Sequence, residues 1–173
     1  MKILALCGSL RRVSMNAALL RATARLAPAG MQVRIFDGLG ELPLFNPDLE
    51  ARLPAAVGRL HGAILDCEAL LIASPEYAHG VTGVLKNALD WLVSFEGFVG
   101  KPVVIFNASP RSVHADAALR EILSTMSANL IASACLALPL RGLNLSEDAM
   151  VASEHAAAIR AALLRLADEV PRP

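Results

Sequence analysis

The segment Gly8-Ser9-Leu10-Arg11-Arg12-Val13-Ser14-Met15-Asn16 concentrates groups suited to holding an anion. It follows a short apolar run, Lys2 to Leu6, and precedes a stretch in which Leu19, Leu20, Thr23 and Leu26 recur at helical spacing. A phosphate needs donors that converge on one point. A strand-to-helix loop supplies them as free backbone N–H groups at the positive end of the helix dipole. Ser9, Ser14 and Asn16 add neutral donors, and Arg11 or Arg12 adds charge and a planar fork. The competing reading is plain helix capping by Ser14 or Asn16, with the arginines in solvent. The loop is not GxGxxG and does not end in Gly-Lys-Ser/Thr, which counts against a dinucleotide fingerprint and an NTPase phosphate loop.

Two further segments carry polar or aromatic groups between apolar elements. Ser74-Pro75-Glu76-Tyr77-Ala78-His79-Gly80 holds the chain's single tyrosine beside a stiffening proline. Such a loop can offer a flavin ring a flat wall and peptide N–H groups at its polar edge. Tyr77 taken alone also fits a half-buried loop aromatic, and His79 fits a surface histidine better than a catalyst. Asn107 to His114 offers Ser109 and Arg111. The sequence shows no Ser-His-Asp arrangement, metal-ligand cluster or carboxylate pair, as expected where a cofactor carries the chemistry. Cys7, next to the first loop, reads as a packing thiol.

These loops need a frame, and the hydrophobic pattern supplies one. Strands are expected at Lys2 to Leu6, Met31 to Phe36, Ala69 to Ala73, Val103 to Phe106 and around Ser133 to Leu138. Helices are expected at Asn16 to Ala27, from Arg52 with Pro54 in its first turn, and over about Val81 to Ser94, Ala115 to Ala128 and Ser153 to Ala167. Asp37 to Asp48 reads as irregular. Five strands alternating with five helices predict a doubly wound parallel α/β sheet in one domain over residues 1–173. Ligands of such sheets lie beyond the carboxyl ends of the strands, where the strand order reverses, and the three loops fall at such ends.

Composition narrows the partner. Lys plus Arg and Asp plus Glu are 16 each, so no charge excess draws the chain to nucleic acid or an anionic membrane, and a small molecule or protein is expected. Apolar runs break within about 10 residues, short of the 18 or so needed to span a bilayer. Cys7, Cys67 and Cys135 lack CxxC spacing, and the N-terminal stretch lacks a signal-peptide pattern, so a cytoplasmic protein with free thiols is expected. A hydrophobic content of 55% and mean hydropathy of +0.50 suit a sheet buried on both faces and leave apolar surface for a subunit contact.

Three motifs together resemble the NADPH-dependent FMN reductase family, which includes quinone, chromate and azo-dye reductases: GSLRxxSxN at 8–16, Leu-Pro-Leu-Phe-Asn-Pro-Asp-Leu at 42–49, and Pro-Glu-Tyr followed by Gly-Val-Leu-Lys-Asn-Ala-Leu-Asp-Trp at 83–91. The resemblance implies a three-layer flavodoxin-like fold with a five-stranded parallel sheet in the order 2-1-3-4-5. It further implies non-covalent FMN, NADPH or NADH as donor, a small flavin or quinone as acceptor, and a homodimer or homotetramer through helix 83–94. By position, Ser9, Arg11, Ser14, Met15 and Asn16 would hold the FMN phosphate, Pro75, Glu76 and Tyr77 would lie against the ring, and Ser109 and Arg111 would approach from the third loop. The alternatives are an electron carrier of the flavodoxin kind and an FMN-free binding module. Two departures stand out: Ala78-His79 where many relatives carry Asn and a small residue, and a third loop without the glycines that many relatives use.

Overall fold

The computed structural model describes residues 1–140 and 146–170. Strands β1 (Lys2–Cys7), β2 (Gln32–Ile35) and β3 (Ala69–Ala73) are followed by a two-stranded hairpin, β4 (Glu76–Tyr77) and β5 (Gly80–Val81). Then come β6 (Pro102–Asn107), β7 (Asn129–Leu130) and β8 (Leu136–Ala137). The helices are α1 (Met15–Leu26), α2 (Ala55–Leu65), α3 (Gly83–Asp90), α4 (Val113–Thr125), α5 (Glu147–Val151) and α6 (His155–Glu169). The main sheet runs β2-β1-β3-β6-β7, with β8 also on β6, and every pairing in it is parallel. Counting β7 and β8 as one interrupted edge strand, this is the expected order 2-1-3-4-5.

Alternation along the strands divides the core in two. Ile3, Ala5, Leu71 and Phe106 point to the side covered by α1 and α6, whereas Leu4, Leu6, Leu70 and Ile105 point to the side covered by α2, α3 and α4. The central strands are thus apolar at nearly every position, as parallel strands under two helix layers must be. At the edge, β2 buries Val33 and exposes Gln32 and Arg34.

Four expectations need correction. The fifth strand is split. Between Val103↔Leu130 and Phe106↔Leu136, β6 advances three residues while the edge chain advances six. The excess is taken up by a 3-10 turn at Ala132–Ala134, and the Cys135 thiol sulfur accepts the Ile105 N–H (3.3 Å) that the gap would otherwise orphan. Second, α2 begins at Ala55 rather than Arg52. Arg52 belongs to a separate 3-10 turn, Pro47–Arg52, capped by Asn46, because Leu53 precedes Pro54 and is extended (ψ 127°). Third, α3 ends at Asp90, where Trp91 turns its indole inward instead of continuing the helix. Fourth, α5 is an element that periodicity does not reveal. Its signal was local: Ser146 caps it by accepting the Ala149 N–H (3.2 Å), with Glu147 and Asp148 in the first turn. Glu147 also meets Arg21 of α1 (3.1 Å).

The irregular stretch before α2 is a strap pinned to α3. Asn87 Nδ2 and Trp91 Nε1 both donate to the Pro43 carbonyl (3.0 and 2.8 Å), and Asn87 Oδ1 accepts the Phe45 N–H (2.8 Å). Phe45 meets the Trp91 ring edge-on at 5.1 Å. Two of the family-like motifs are therefore halves of one contact. Asn87→Ala is expected to lose about 2–3 kcal/mol by orphaning the Phe45 N–H and weakening the Pro43 pairing, to be read from urea unfolding.

Candidate functional site

Where β1 and β3 end side by side, their loops diverge and leave a cavity of about 380 Å3, within the size range of small-molecule sites. Its position at the β1/β3 strand-order reversal is the one the topology favours for ligands. The closeness of the two strand ends depends on Gly8. Its N–H donates to Ala73 O (2.8 Å), and its carbonyl accepts from the buried Thr82 Oγ1 (2.8 Å). A side chain has no room there, since a Cβ on residue 8 would stand 2.1 Å from Ser74 Oγ and 2.6 Å from Ser74 Cβ.

All ten sequence-predicted residues line this one cavity. From the first loop come Ser9, Arg11, Ser14, Met15 and Asn16; Arg12 stays outside, which separates the two arginines that spacing could not. Ser14 is the N-cap of α1, its Oγ accepting the Ala17 N–H (3.3 Å), so the capping reading is correct for this residue. The Ala18 N–H goes to the Ser14 carbonyl, leaving those of Met15 and Asn16 without an acceptor among the described residues. Asn16 is 7% exposed, and its Oδ1 is buried with no hydrogen-bond partner. A buried polar atom left unpaired is costly, on the order of 1–3 kcal/mol, so this wall is built for something the chain itself does not supply. Cys7 is inert beside it: burial raises its thiol pKa, and the thiol donates to Ser9 O (3.5 Å).

Pro75, Glu76 and Tyr77 form the second wall. The hairpin that carries them was not expected, because its two-residue turn is Ala78-His79 in place of the usual Asn-Gly. Both residues have positive φ, 48° and 58°, a region that strains a residue with a Cβ by roughly 1–2 kcal/mol. The hairpin leans on α4. The Glu76 carboxylate accepts the Ala115 N–H (2.8 Å) near the start of that helix, and the His79 ring stacks on His114 with centroids 4.3 Å apart.

The third wall is Ser109 and Arg111, together with Asn107, Ala108 and Ser112. Here Asn107 Oδ1 accepts the Ser109 N–H (2.9 Å), so a side-chain turn shapes a loop that has no glycine. Ser74, Asn107, Ala108 and Ser112 were missed as lining residues, although Ser74 and Asn107 mark the ends of β3 and β6, which the topology singles out. No group of three or more His, Cys, Asp or Glu suited to a metal occurs among the described residues.

The profile of NADPH-dependent FMN reductases matches residues 1–141. The chain belongs to this family. An NAD(P)H-dependent FMN reductase of Pseudomonas aeruginosa is 43% identical over 111 residues, 62% of this chain and 60% of that protein. A quinone reductase of Escherichia coli is 36% identical over 113 residues, 63% of this chain and 60% of that protein. The matched stretch thus spans about three fifths of these relatives' length. In structure, the flavoenzyme NAD(P)H:(acceptor) oxidoreductase FerB from Paracoccus denitrificans superposes with a TM-score of 0.80, at 25% identity over 98% of this chain and 99% of that one. The fold of this FMN reductase family member is accordingly flavodoxin-like.

Two glycine substitutions should act in opposite directions. Gly8→Ala is expected to lose about 1–3 kcal/mol through the clash with Ser74, whereas Gly58→Ala in α2, with open space around the new methyl, should gain up to about 1 kcal/mol from helix propensity. Thermal unfolding of the two variants beside the parent reads both.

Proposed function

We propose that the chain is an NAD(P)H-dependent FMN-containing oxidoreductase that passes electrons from pyridine nucleotide through bound FMN to a flavin, quinone or similar small acceptor. The observation that carries this reading is the cavity at the start of α1, where the Met15 and Asn16 N–H groups have no acceptor among the described residues and Asn16 Oδ1 is buried and unpaired. A phosphate ester fits such a place. Asn16 Nδ2 would donate to a phosphate oxygen there. Arg11 adds the positive charge that a dianion calls for.

On this reading Ser9, Arg11, Ser14, Met15 and Asn16 hold the phosphate end, Pro75, Glu76 and Tyr77 wall the ring, and Ser109 and Arg111 close the third side. FMN, when bound, supplies the two-electron chemistry between a nicotinamide and the acceptor. The chain's share is to bind, to orient and to leave one side open. Tyr77, about half exposed at 53%, stands at that open side, and its aromatic face suits a flat, weakly polar acceptor.

The reading extends to the whole chain as one cytoplasmic FMN domain that pairs as a homodimer or homotetramer through α3. Supporting the contact, the strap pinned to α3 exposes Leu44 at 84%, and Val93 beyond the helix end is 64% exposed. No helix is long and apolar enough to cross a membrane among the described residues.

Adding NADPH or NADH to the FMN-loaded protein without oxygen is expected to bleach the yellow absorbance of the oxidised flavin, and a quinone should restore it. Yellow protein that neither nucleotide bleaches would leave an electron carrier, and protein that takes up no FMN would leave a binding module.

A further inference from the structure

The hairpin turn sets a problem that the cofactor reading does not touch. Ala78 and His79 both sit in the left-handed region, where glycine or asparagine is the unstrained choice. A histidine there adds no core packing, since residue 79 is exposed, and its ring does not line the cavity. What the ring does reach is His114, at the second position of α4, in a stack with planes 23° apart. The strain and the stack are thus on the same residue. Glu76, at the base of the hairpin, is tied to the same helix end through the Ala115 N–H. The segment between these two ties contains Tyr77, which is the exposed wall of the cavity.

We infer that the His79–His114 stack is a latch: it holds the tip of the hairpin on α4, and through the hairpin it sets where Tyr77 stands at the mouth of the cavity. His79 and His114 are then positioning residues for the ring-shaped second substrate, one step removed from it. The latch rests on the reductase reading for its consequence but not for its existence. Without the stack the hairpin would keep the Glu76 tie and the packing of β5 on α4, and only its tip would be freed. Glycine at position 79 would give the turn its preferred backbone and lose the fastening, so local comfort and a fixed wall are in opposition at this residue.

Three variants separate these effects. His79→Gly removes strain and stack together, His114→Ala removes the stack alone, and His114→Phe keeps a flat ring. In the FMN-free protein, amide hydrogen exchange across residues 76–81 is expected to speed up in His79→Gly and His114→Ala and to stay at the parent rate in His114→Phe. His79→Gly should melt no lower than the parent. In the FMN-loaded protein, KM for 1,4-benzoquinone is expected to rise roughly three- to tenfold in the first two variants, the size of one aromatic contact, with kcat within about twofold and with His114→Phe restored. The double variant His79→Gly/His114→Ala should be no worse than either single one, because both break one contact. Parent-like exchange of 76–81 in His114→Ala, or KM effects that multiply in the double variant, would overturn the latch. Faster exchange in the variants of a protein whose parent reduces no acceptor would uphold the latch and sink the reductase reading instead.

Discussion

Everything at the cavity depends on how closely the ends of β1 and β3 approach. Gly8 gives its N–H to Ala73 and takes the Thr82 hydroxyl on its carbonyl, with Ser74 pressed against the place where a side chain would begin. That contact makes one rim of two strand ends. The first loop then has to leave in one direction toward α1 and the second in the other toward the hairpin and α3, which opens the space between them. Thr82 immediately precedes α3, so the same hydroxyl that fixes Gly8 also fixes the start of the helix that carries Asn87 and Trp91. The strap from Pro43 to Phe45 is held by those two side chains. A single close approach therefore orders the cavity and the apolar surface proposed for subunit contact.

The polar inventory of the cavity falls into groups with work to do in the folded chain and groups without. Ser14 caps α1, Glu76 satisfies the start of α4, and Asn107 shapes its own loop. Asn16 differs from these in being a buried lining residue whose Oδ1 is unpaired. Native interiors seldom leave such an atom without a partner, and the simplest resolution is a ligand that brings its own donors and acceptors. The thiol of Cys7, at the end of β1, is pushed up in pKa by burial and donates to Ser9 O.

Much of this was legible in the residues. Buried parallel strands announce themselves as unbroken apolar runs, so β3 was placed to the residue and β1 and β6 to within one residue at each end. The loops could be ranked because topology says which strand ends matter, and the ten residues chosen from them share one cavity. What could not be read is instructive. The split edge strand depends on a cysteine sulfur standing in for a carbonyl, a tertiary arrangement with no periodic trace. The 76–81 hairpin was hidden because Ala-His is a poor turn sequence, and it persists through contacts with α4. The 3-10 turn before α2 needed Leu53 to be read as the residue before a proline, extended, rather than as part of a helix begun at Arg52. Helix α5 carried a legible cap but was too short for a pattern.

The central claim is that the loop from Gly8 to Asn16 binds a phosphate ester, and a calorimetric comparison of FMN with riboflavin tests it most directly, since the two differ only in that group. Two charge-assisted contacts of about 1.5–3 kcal/mol each correspond to FMN binding roughly a hundredfold or more tighter than riboflavin, with the gap narrowing sharply in Arg11→Ala. Equal affinities for FMN and riboflavin, or a gap that Arg11→Ala leaves intact, would contradict it.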